Sequence, residues 1–525
     1  MPLLLFYAPK SERTRSSPRR GLGALCLVLM LVAPLLQAAT KAPPPRAATA
    51  AAAQKPAEPP LPPEVAGPLA RAKVPREAVS LLVTPVDALE DTPPRLSHRM
   101  DVAMNPASVM KLVTTYAGLD LLGADYTWAT RFYADGPLSD GVLRGNLYIR
   151  GGGDPKLVLE RVDAMFRALQ ARGVREVQGD LVLDASIFAP VARDPAEFDG
   201  EPLRPYNSTP DGLLVNFKSL ILTFTPDPAS GTARVRSEPP MAGVAIDATV
   251  PMTSASCGDW RGALAADFSD PNRVQLGGSY PARCGERVWP VAYADPASYA
   301  RRALLAMFAT AGGTVLGTAR EGPVPVGARW LMDAPSLPLG DVIADVNKYS
   351  NNVMAQQIFL TLSAPDTRDA PGKRPAKGQG SQEASRAVIK AWWPRAMGPA
   401  RPSVPAPLVE NGSGLSRDER VTAAALGRLL RRAAVHPQAA VFLNSLSVAG
   451  VDGTTLGMKS RGLAPEALGN ARLKTGTLRD VVAVAGYVTG RSGQRYVVVG
   501  LVNHPNAPAA RPALDALVEW AVRDR

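Results

Sequence analysis

Histidine and cysteine are scarce in this sequence of 525 residues, which contains only three of each. His98, His436 and His504 lie in no motif that would complete a Ser-His-Asp arrangement, and we expect all three to lie on the surface. No cluster of His, Cys, Asp or Glu has the spacing of metal ligands, so we expect no metal and no cofactor. The chemistry of this protein must therefore depend on other side chains.

Long hydrophobic runs are also missing, because the run at 21–36 is short for a membrane span. Basic residues precede it and Gln37-Ala38-Ala39 follow it, which is the pattern of a signal peptide. We predict that residues 1–39 are a signal peptide and that the protein is exported to the periplasm. The cleavage site is imperfect, since Gln37 or Leu36 stands where a small residue is usual. Retention as an amino-terminal membrane anchor therefore stays open as the minority alternative.

Removal of this leader would leave two cysteines, Cys257 and Cys284. An even pair in an oxidising compartment predicts a disulfide. The alternative is a pair of unbridged, buried thiols.

Signals for phosphate or nucleic-acid binding are absent. The glycine run at 151–153 is not followed by Gly-Lys-Ser/Thr, so it indicates a turn and not a phosphate loop. The net charge is +12, but the basic residues are scattered and do not alternate with aromatic residues, so we expect no nucleic-acid partner. A solvated basic surface explains the charge, and peripheral association with anionic wall polymers or a membrane surface stays open.

The middle of the chain changes pattern from about residue 133. Two units at 162–179 and 303–317 each contain a helix, a glycine, a short strand and a second glycine, which suggests the two halves of a small α/β domain. Short strands and the cysteine pair between them indicate a β-rich module. Helical patterns return from about 333, and the polar stretch 364–385 predicts a surface insertion.

These patterns predict a mixed α/β (α+β) multidomain protein. Prolines and alanines concentrate in residues 40–75, which we predict to be a linker. Residues 76–132 and 333–525 would form one discontinuous domain. Residues 133–332 would form the inserted domains, with the β-rich module around 215–290.

The stretch that organises the chain begins at Asn105 and continues through an apolar run to Gly123. Pro106 suits the first turn of a helix, and the apolar residues that follow recur near helical spacing. Ser108 and Lys111 are three residues apart, so both side chains project from one face. A hydroxyl beside a neutral amine is a nucleophile with its own base. Taken alone, the pair is better explained by a helix cap and a solvated lysine.

Two later motifs follow in order. Ser350-Asn351-Asn352 stands at the head of a predicted helix, and Lys474-Thr475-Gly476-Thr477 precedes a strand-like run at 481–485. Serine–x–x–lysine, serine–x–asparagine and lysine–threonine–glycine together are the signature set of penicillin-binding proteins and serine β-lactamases.

From about residue 76 to residue 525 the sequence resembles the class C low-molecular-mass penicillin-binding proteins, which are D-alanyl-D-alanine carboxypeptidases and endopeptidases. The long separation of Ser108 from Ser350 resembles the large insertion of that class. The resemblance implies a penicillin-binding, serine β-lactamase-like catalytic domain with a large inserted α/β and β-rich region. The segments that resemble the family are 106–112, 152–155, 411–417, 451–454 and 474–478.

The resemblance implies three catalytic residues. Ser108 would attack the peptide carbonyl to form an acyl-enzyme, and Lys111 would be its base, with a pKa lowered by burial or by a neighbouring cation. Ser350 would relay a proton to the leaving amine.

Five further residues would bind the substrate. Lys474 and Thr475 would hold its terminal carboxylate, and Asn352 would bond to its backbone. Gly476 would leave space for a substrate strand, and the N–H groups of Ser108 and Thr477 would form the oxyanion hole.

The implied function is hydrolysis of D-Ala-D-Ala ends and crosslinks in peptidoglycan peptides, with β-lactam antibiotics as inhibitors. One alternative is a serine β-lactamase, against which the large insertion and the unmatched deacylation-glutamate motif argue. The other is a catalytically silent wall-binding or sensor protein, against which the presence of Ser108, Lys111, Ser350 and Lys474 argues.

Overall fold

The computed structural model describes residues 60–89, 92–365, 378–398 and 404–524. The predicted signal peptide, the first part of the predicted linker and most of the insertion predicted at 364–385 lie outside these ranges. Within them, no helix is both long enough and apolar enough to cross a membrane.

The helices of the described residues lie mainly before and after the predicted insertion. In chain order they are α1 (Pro63–Arg71), α2 (Lys111–Leu122), α3 (Leu159–Ala171), α4 (Trp260–Ala263), α5 (Tyr299–Thr310), α6 (Leu339–Tyr349), α7 (Asn352–Thr361), α8 (Gln382–Met397), α9 (Ala423–Ala434), α10 (Ala439–Ser445) and α11 (Arg511–Val522).

The strands form several sheets. In chain order they are β1 (Val79–Pro85), β2 (Leu96–His98), β3 (Ala129–Ala134), β4 (Leu138–Ser139), β5 (Val142–Leu143), β6 (Leu147–Arg150), β7 (Glu176–Val177), β8 (Leu181–Asp184), β9 (Ser219–Asp227), β10 (Thr232–Glu238), β11 (Ala245–Ile246), β12 (Thr249–Thr253), β13 (Ala266–Asp267), β14 (Arg273–Leu276), β15 (Tyr280–Pro281), β16 (Arg287–Ala292), β17 (Thr314–Val315), β18 (Ala319–Glu321), β19 (Arg329–Pro335), β20 (Ser447–Val448), β21 (Ala471–Leu478), β22 (Val481–Thr489) and β23 (Arg495–Asn503).

A six-stranded antiparallel sheet combines the two ends of the described chain, in the order β2-β1-β23-β22-β21-β20. Its middle strands are apolar on both faces because helices cover both. Ala483 and Ala485 on β22 point to one core, whereas Val482 and Val484 point to the other, as the alternation of a strand requires. We call this sheet and its helices the central region.

The two faces of the central sheet are covered by different helices. One face packs against α2, α6, α7, α8 and α9, and the other packs against α1 and α11. Helix α2 is buried from Lys111 to Leu119, which fits its nearly continuous apolar sequence. The first helix after the nucleophile motif therefore lies inside the central region, with its amino-terminal end directed at the sheet edge formed by β21.

Between α2 and α6 the chain forms what we call the inserted region, residues 129–335. The two predicted helix–strand units lie side by side in it: β7 pairs with β17, and β8 with β18, both parallel. Helices α3 and α5 pack through Phe166 and Phe308, whose ring centroids are 5.2 Å apart. The two units therefore form the halves of one α/β layer, and β3, β6 and β19 extend its sheet.

The β-rich module of the inserted region is built on a five-stranded sheet in the order β15-β12-β10-β9-β16. Its core is aromatic, with Phe224 stacked on Tyr280 at 5.5 Å and Trp260 packed edge-on against both rings. Cys257 and Cys284 form a disulfide with an S–S distance of 2.07 Å.

The linker prediction was wrong for the residues after 62, because helix α1 lies inside the predicted range 40–75. Val65 and Leu69 on this helix are buried in the core that α11 also lines. The helix contains Pro63 in its first turn and Pro68 within it. Only two residues of this short helix are buried, so the sequence pattern was too short to indicate a helix.

The predicted boundaries near 132 and 333 fall inside strands. β3 and β19 pair with each other in an antiparallel arrangement, so the chain enters and leaves the inserted region through neighbouring strands. The predicted insertion at 364–385 also overlaps the start of α8, which begins at Gln382 after the N-cap Ser381.

Candidate active site

Ser108 lies in a short 3₁₀ turn, residues 107–110, that leads directly into α2 at Lys111. The Lys111 Nζ atom lies 3.0 Å from Ser108 Oγ. Ser108 is partly exposed and Lys111 is fully buried. The hydroxyl is therefore accessible to a substrate, while its neighbouring amine is not accessible to water.

The backbone before Ser108 has an unusual conformation that glycines on two other segments permit. Ala107 adopts a left-handed φ of 47°, which costs free energy for a residue with a side chain. A Cβ atom on Gly414 would lie 2.0 Å from the Ala107 carbonyl oxygen, and one on Gly476 would lie 2.5 Å from the Pro106 oxygen. The nucleophile turn is thus held between two segments that approach it too closely for any larger residue.

Lys111 makes three short polar contacts. Besides Ser108, its Nζ donates to Asn352 Oδ1 at 2.7 Å and to the Ser413 carbonyl oxygen at 2.5 Å. A neutral amine has two hydrogens and one lone pair. With both hydrogens directed at these two oxygens, the lone pair is directed at the hydroxyl of Ser108, which is the arrangement that a general base requires.

Ser350 joins α6 to α7 with a left-handed φ of 58° and does not belong to either helix. The predicted helix is α7, which begins at Asn352. Asn351 is its N-cap, and the side-chain oxygen of Asn351 accepts a hydrogen bond from Met354 N at 3.0 Å. Lys474 Nζ donates to Ser350 Oγ at 2.9 Å and to the Thr475 carbonyl oxygen at 2.8 Å. The second and third motifs are therefore in direct contact.

The Lys474–Thr477 motif lies within strand β21, whereas the sequence analysis placed it before a strand. Lys474 and Gly476 are buried, Thr475 is partly exposed and Thr477 is exposed. β20 pairs with β21 only at Arg472 and Leu473. From Lys474 onward this edge of β21 has no strand partner within the described ranges, so an extended peptide has a free edge to which it can add.

Hydroxyl groups of β21 are held by two other segments. Thr475 Oγ1 donates to Thr454 Oγ1 at 2.8 Å, and Thr477 Oγ1 accepts from Arg511 Nη2 at 3.3 Å. Arg511 is exposed, so its guanidinium places a positive charge at the open end of the site.

Burial is the main cause of the pKa shifts of the two lysines. It lowers the pKa of Lys111 well below the ordinary lysine value, and the neighbouring charge of Lys474 lowers it further. Burial also lowers the pKa of Lys474, to about 7. Both effects on Lys111 favour its neutral form, which is the form that can act as a base.

A glycine loop, residues 410–417, forms the floor of the site. Ser413 contributes the carbonyl that contacts Lys111, and Thr114 Oγ1 donates to the Gly412 carbonyl oxygen at 2.6 Å. Glu419, which follows the loop, is fully buried and accepts from Glu410 N at 3.0 Å and Asn411 N at 3.2 Å. Burial raises the pKa of Glu419 to about 7, and the charge of Lys111 opposes this rise.

The sequence analysis assigned no role to four residues that the structure places at the site. Ser413 and Thr454 lie in segments that carried the family resemblance, so their position was indicated but their contacts were not. Glu419 stands in a run of charged residues, where exposure is the usual expectation, and Arg511 begins the last helix. No local sequence pattern distinguishes Glu419 and Arg511 from ordinary surface residues.

The prediction that all histidines lie on the surface was wrong for His98. This side chain is 3% exposed, and its Nε2 lies 2.9 Å from the Arg76 carbonyl oxygen. His436 is partly exposed, and its Nε2 lies 3.1 Å from Asp120 Oδ1. In the part of the chain that the structure describes, no group of three or more His, Cys, Asp or Glu residues could hold a metal ion.

Comparison with known proteins gives consistent results. The model of the D-Ala-D-Ala carboxypeptidase 3 (S13) family matches residues 64–524. A D-alanyl-D-alanine carboxypeptidase of an Actinomadura species is 30% identical over 427 residues, which are 78% of this chain and 76% of that protein.

Solved structures share the fold. Penicillin binding protein 4 (dacB) of Haemophilus influenzae superposes with a TM-score of 0.66 at 21% identity, covering 87% of this chain and 99% of that one. The same protein complexed with a β-lactam superposes with a TM-score of 0.63 at 20% identity and the same coverage. These likenesses confirm the predicted fold class.

Proposed function

The chain belongs to the D-Ala-D-Ala carboxypeptidase 3 (S13) family and is a serine-type D-Ala-D-Ala carboxypeptidase, and we propose that Ser108 is its nucleophile and Lys111 its base. One observation carries this proposal. The Lys111 amine lies 3.0 Å from the Ser108 hydroxyl while its two other polar contacts are carbonyl oxygens. Such an amine can accept the proton that Ser108 must lose.

In the proposed acylation, Ser108 Oγ attacks the carbonyl of the penultimate D-alanine while its proton passes to Lys111 Nζ. The tetrahedral oxyanion would be bound by the N–H groups of Ser108 and Thr477. The geometry supports this pair of N–H groups, because a Cβ atom on Gly476, the residue before Thr477, would lie only 3.1 Å from Ser108 N. The turn and the strand are thus close enough to serve one oxygen.

Collapse of the intermediate expels the terminal D-alanine, whose amine needs a proton. Ser350 is placed for this step, since its hydroxyl accepts a hydrogen bond from Lys474, so that it can give its own proton to the amine and take one from Lys474. Water then attacks the ester carbonyl and returns a proton to Lys474 through Ser350, while Lys111 gives its proton back to Ser108 as the shortened peptide leaves.

The substrate would bind along the free edge of β21. Two of the three ammonium hydrogens of Lys474 have acceptors in Ser350 and Thr475, so one remains for a carboxylate. The hydroxyl of Thr475 would join it, and Asn352 would bond to the peptide backbone. Asn352 already spans the site, because its Oδ1 accepts from Lys111 and its Nδ2 donates to the Tyr206 carbonyl oxygen.

The same chemistry would extend to peptidoglycan crosslinks and to β-lactams. A crosslink presents the same D-alanine carbonyl with a different amine as leaving group, so it needs no new catalytic group. A β-lactam presents a strained amide carbonyl and would acylate Ser108. Related support comes from the Haemophilus influenzae protein, which shares this fold and has been solved in complex with a β-lactam.

We further propose that residues 76–132 and 333–525, with α1, form the catalytic domain and that 133–332 are inserted. The sheets support this division with its boundaries moved to 129 and 335, because β3 and β19 belong to a sheet of the inserted region and the strands of that region pair only with one another among the described residues. Export to the periplasm by a signal peptide at 1–39 and association with wall polymers remain part of the proposal.

The test is mass spectrometry of two muropeptides, a pentapeptide monomer and a crosslinked dimer, after incubation with the purified protein. Loss of one alanine from the monomer is expected, and conversion of the dimer to monomers would show crosslink hydrolysis. Ser108→Ala should abolish both reactions. If Ser108→Ala cleaves as fast as the natural protein, the proposed nucleophile is wrong.

A chromogenic cephalosporin separates this function from that of a β-lactamase. We expect one equivalent to acylate Ser108 and to be released slowly. Many turnovers per minute would contradict a carboxypeptidase and favour a β-lactamase.

A further inference from the structure

A buried carboxylate lies beneath the site without a role in the mechanism above. Glu419 is 0% exposed. The guanidinium of the next residue, Arg420, donates to the carbonyl oxygens of Arg417 and Glu419. Glu419 Oε1 accepts from the N–H groups of Glu410 and Asn411. Its Oε2 is buried and receives no well-formed hydrogen bond from the described residues, although the nearby Gly412 N–H helps to lower the pKa of this carboxyl. A carboxylate with one unsatisfied buried oxygen costs free energy, so its presence needs an explanation.

The position of Glu419 links it to Lys111 through the glycine loop. The carboxylate holds the N–H groups at the start of this loop, and three residues later the loop directs the Ser413 carbonyl at Lys111 Nζ. Asn411 strengthens the same turn, because its Oδ1 accepts from Ser413 N and Ser413 Oγ. Glu419 therefore helps to fix one of the two oxygens that orient the amine.

Charge provides a second link. Three ionisable side chains are completely buried here, namely Lys111, Lys474 and Glu419. The charge of Lys474 disfavours a cation at Lys111, whereas the charge of Glu419 favours one. Lys111 becomes a cation during the reaction, at the moment when it takes the proton of Ser108.

We propose that the buried carboxylate of Glu419 stabilises the ammonium that Lys111 forms during acylation, while it also positions the glycine loop that orients the amine. Glu419 is a positioning residue, since it acts through Lys111 and does not contact the substrate. The inference rests on the proposed role of Lys111 as the base for Ser108.

The two effects of this charge oppose each other, and this gives a distinctive signature. A carboxylate that stabilises the ammonium makes Lys111 a stronger base, which raises the acylation rate once the amine is neutral. Above about pH 7, where Glu419 is ionised, it also raises the pKa of Lys111, so the amine becomes neutral only at higher pH. Removal of the charge should therefore lower the maximal rate and, at the same time, extend activity to lower pH.

Glu419→Gln removes the charge but keeps an oxygen that can accept from Glu410 and Asn411. The experiment measures the second-order rate of Ser108 acylation by a fluorescent penicillin, from about pH 5 to pH 10. For Glu419→Gln we expect the acid limb of the profile of acylation rate against pH to move to lower pH by roughly one unit. We expect the plateau to fall about threefold to tenfold. A role confined to loop structure would lower the plateau and leave the limb in place, which would overturn the proposal.

Further variants keep the test decisive. Glu466→Gln removes an exposed carboxylate that pairs with Arg491, and its profile should match that of the natural protein. Glu419→Asp and Glu419→Asn introduce side chains that are equal in size and differ in charge, so the acid limb of Glu419→Asn should lie at lower pH than that of Glu419→Asp even if Glu419→Gln does not fold. If Ser108→Ala is still acylated, the nucleophile assignment and this inference fail together. If only the limb shift is missing, the inference about Glu419 alone fails.

Discussion

The central and inserted regions both bury charged side chains, but they treat them differently. In the inserted region each of these charges has a partner of opposite sign: Lys218 lies 2.8 Å from Asp211, and buried Asp154 pairs with Arg161. In the described part of the central region, neither Lys111 nor Lys474 forms an ion pair, and both donate to neutral oxygens. A paired buried charge is compatible with a structural role. Burial shifts the pKa of both kinds of group, raising that of Asp154 and lowering those of the two lysines, but only the unpaired amines can take up a proton from a reacting group.

The largest contrast is expected from two buried lysines, one in each region. Lys111→Met should lower the rate of Ser108 acylation by a penicillin by about 10²–10⁴-fold, because the general base is lost. The melting temperature of the Lys111→Met variant should not fall, since a buried amine is replaced by an apolar side chain. Lys218→Met should leave acylation unchanged and lower stability by about 2 kcal/mol, because Asp211 loses its partner. Equal effects of the two changes on acylation would erase the distinction between the regions.

Two glycines with a left-handed backbone test how tightly each region is packed. Gly414→Ala should cost about 4 kcal/mol, since its Cβ would clash with the Ala107 carbonyl beside the nucleophile as well as strain the backbone. Gly231→Ala, in the turn between β9 and β10, should cost about 1 kcal/mol, because no atom lies within 4 Å of its Cβ. Chemical denaturation measures both changes. A cost for Gly231→Ala that equals that of Gly414→Ala would show that backbone strain alone explains the two.

The disulfide should matter for the inserted region and not for the chemistry. Replacing both Cys257 and Cys284 by serine should lower stability by about 3 kcal/mol, because the bridge closes a loop with a sequence separation of 27 residues. The acylation rate below the unfolding temperature should be unchanged. A slower acylation in the folded variant would mean that the β-rich module influences the site.

Lys474→Met should stabilise the protein while it impairs the enzyme. Burial lowers the pKa of Lys474 from its ordinary value of 10.5 to about 7, so the unfolded chain holds the proton more tightly than the folded one. The destabilisation is complete below about pH 7 and is relieved as the pH rises toward 10.5. The variant should therefore gain about 2 kcal/mol at neutral pH and progressively less in alkaline solution. Thermal unfolding across this range measures the gain, and a gain that is constant with pH would contradict it.

The sequence predicted the fold class and the family correctly because both depend on patterns that are local or ordered along the chain. The spacing of Ser108 and Lys111 is a helical spacing, and the order of the three motifs can be read without a structure. The assigned roles of these residues remain predictions, although the structure brings the motifs into contact.

What the sequence could not predict depends on packing between distant segments. Glu419 lies in a charged stretch that gives no sign of complete burial, and its environment is formed by the glycine loop just before it and by Lys111 at the start of α2. Helix α1 is short and proline-rich, and it is stabilised by the apolar face of α11, the last helix. The free edge of β21 depends on where the two-residue strand β20 ends, which no periodicity could indicate.

The order of strands in the central sheet determines when this enzyme can become active during its synthesis. β1 lies between β2 and β23, so one of the first strands to emerge must wait for the last one. The sheets of the inserted region can form earlier in synthesis, because its strands pair within residues 129–335. Nearly the whole chain must therefore be synthesised before the nucleophile turn can meet β21, and pairing over so long a separation is slow. A chain shortened before Arg495 would retain Ser108 and Lys111 but lack the strand that closes the sheet, so it would be a substrate for proteases and not a hydrolase.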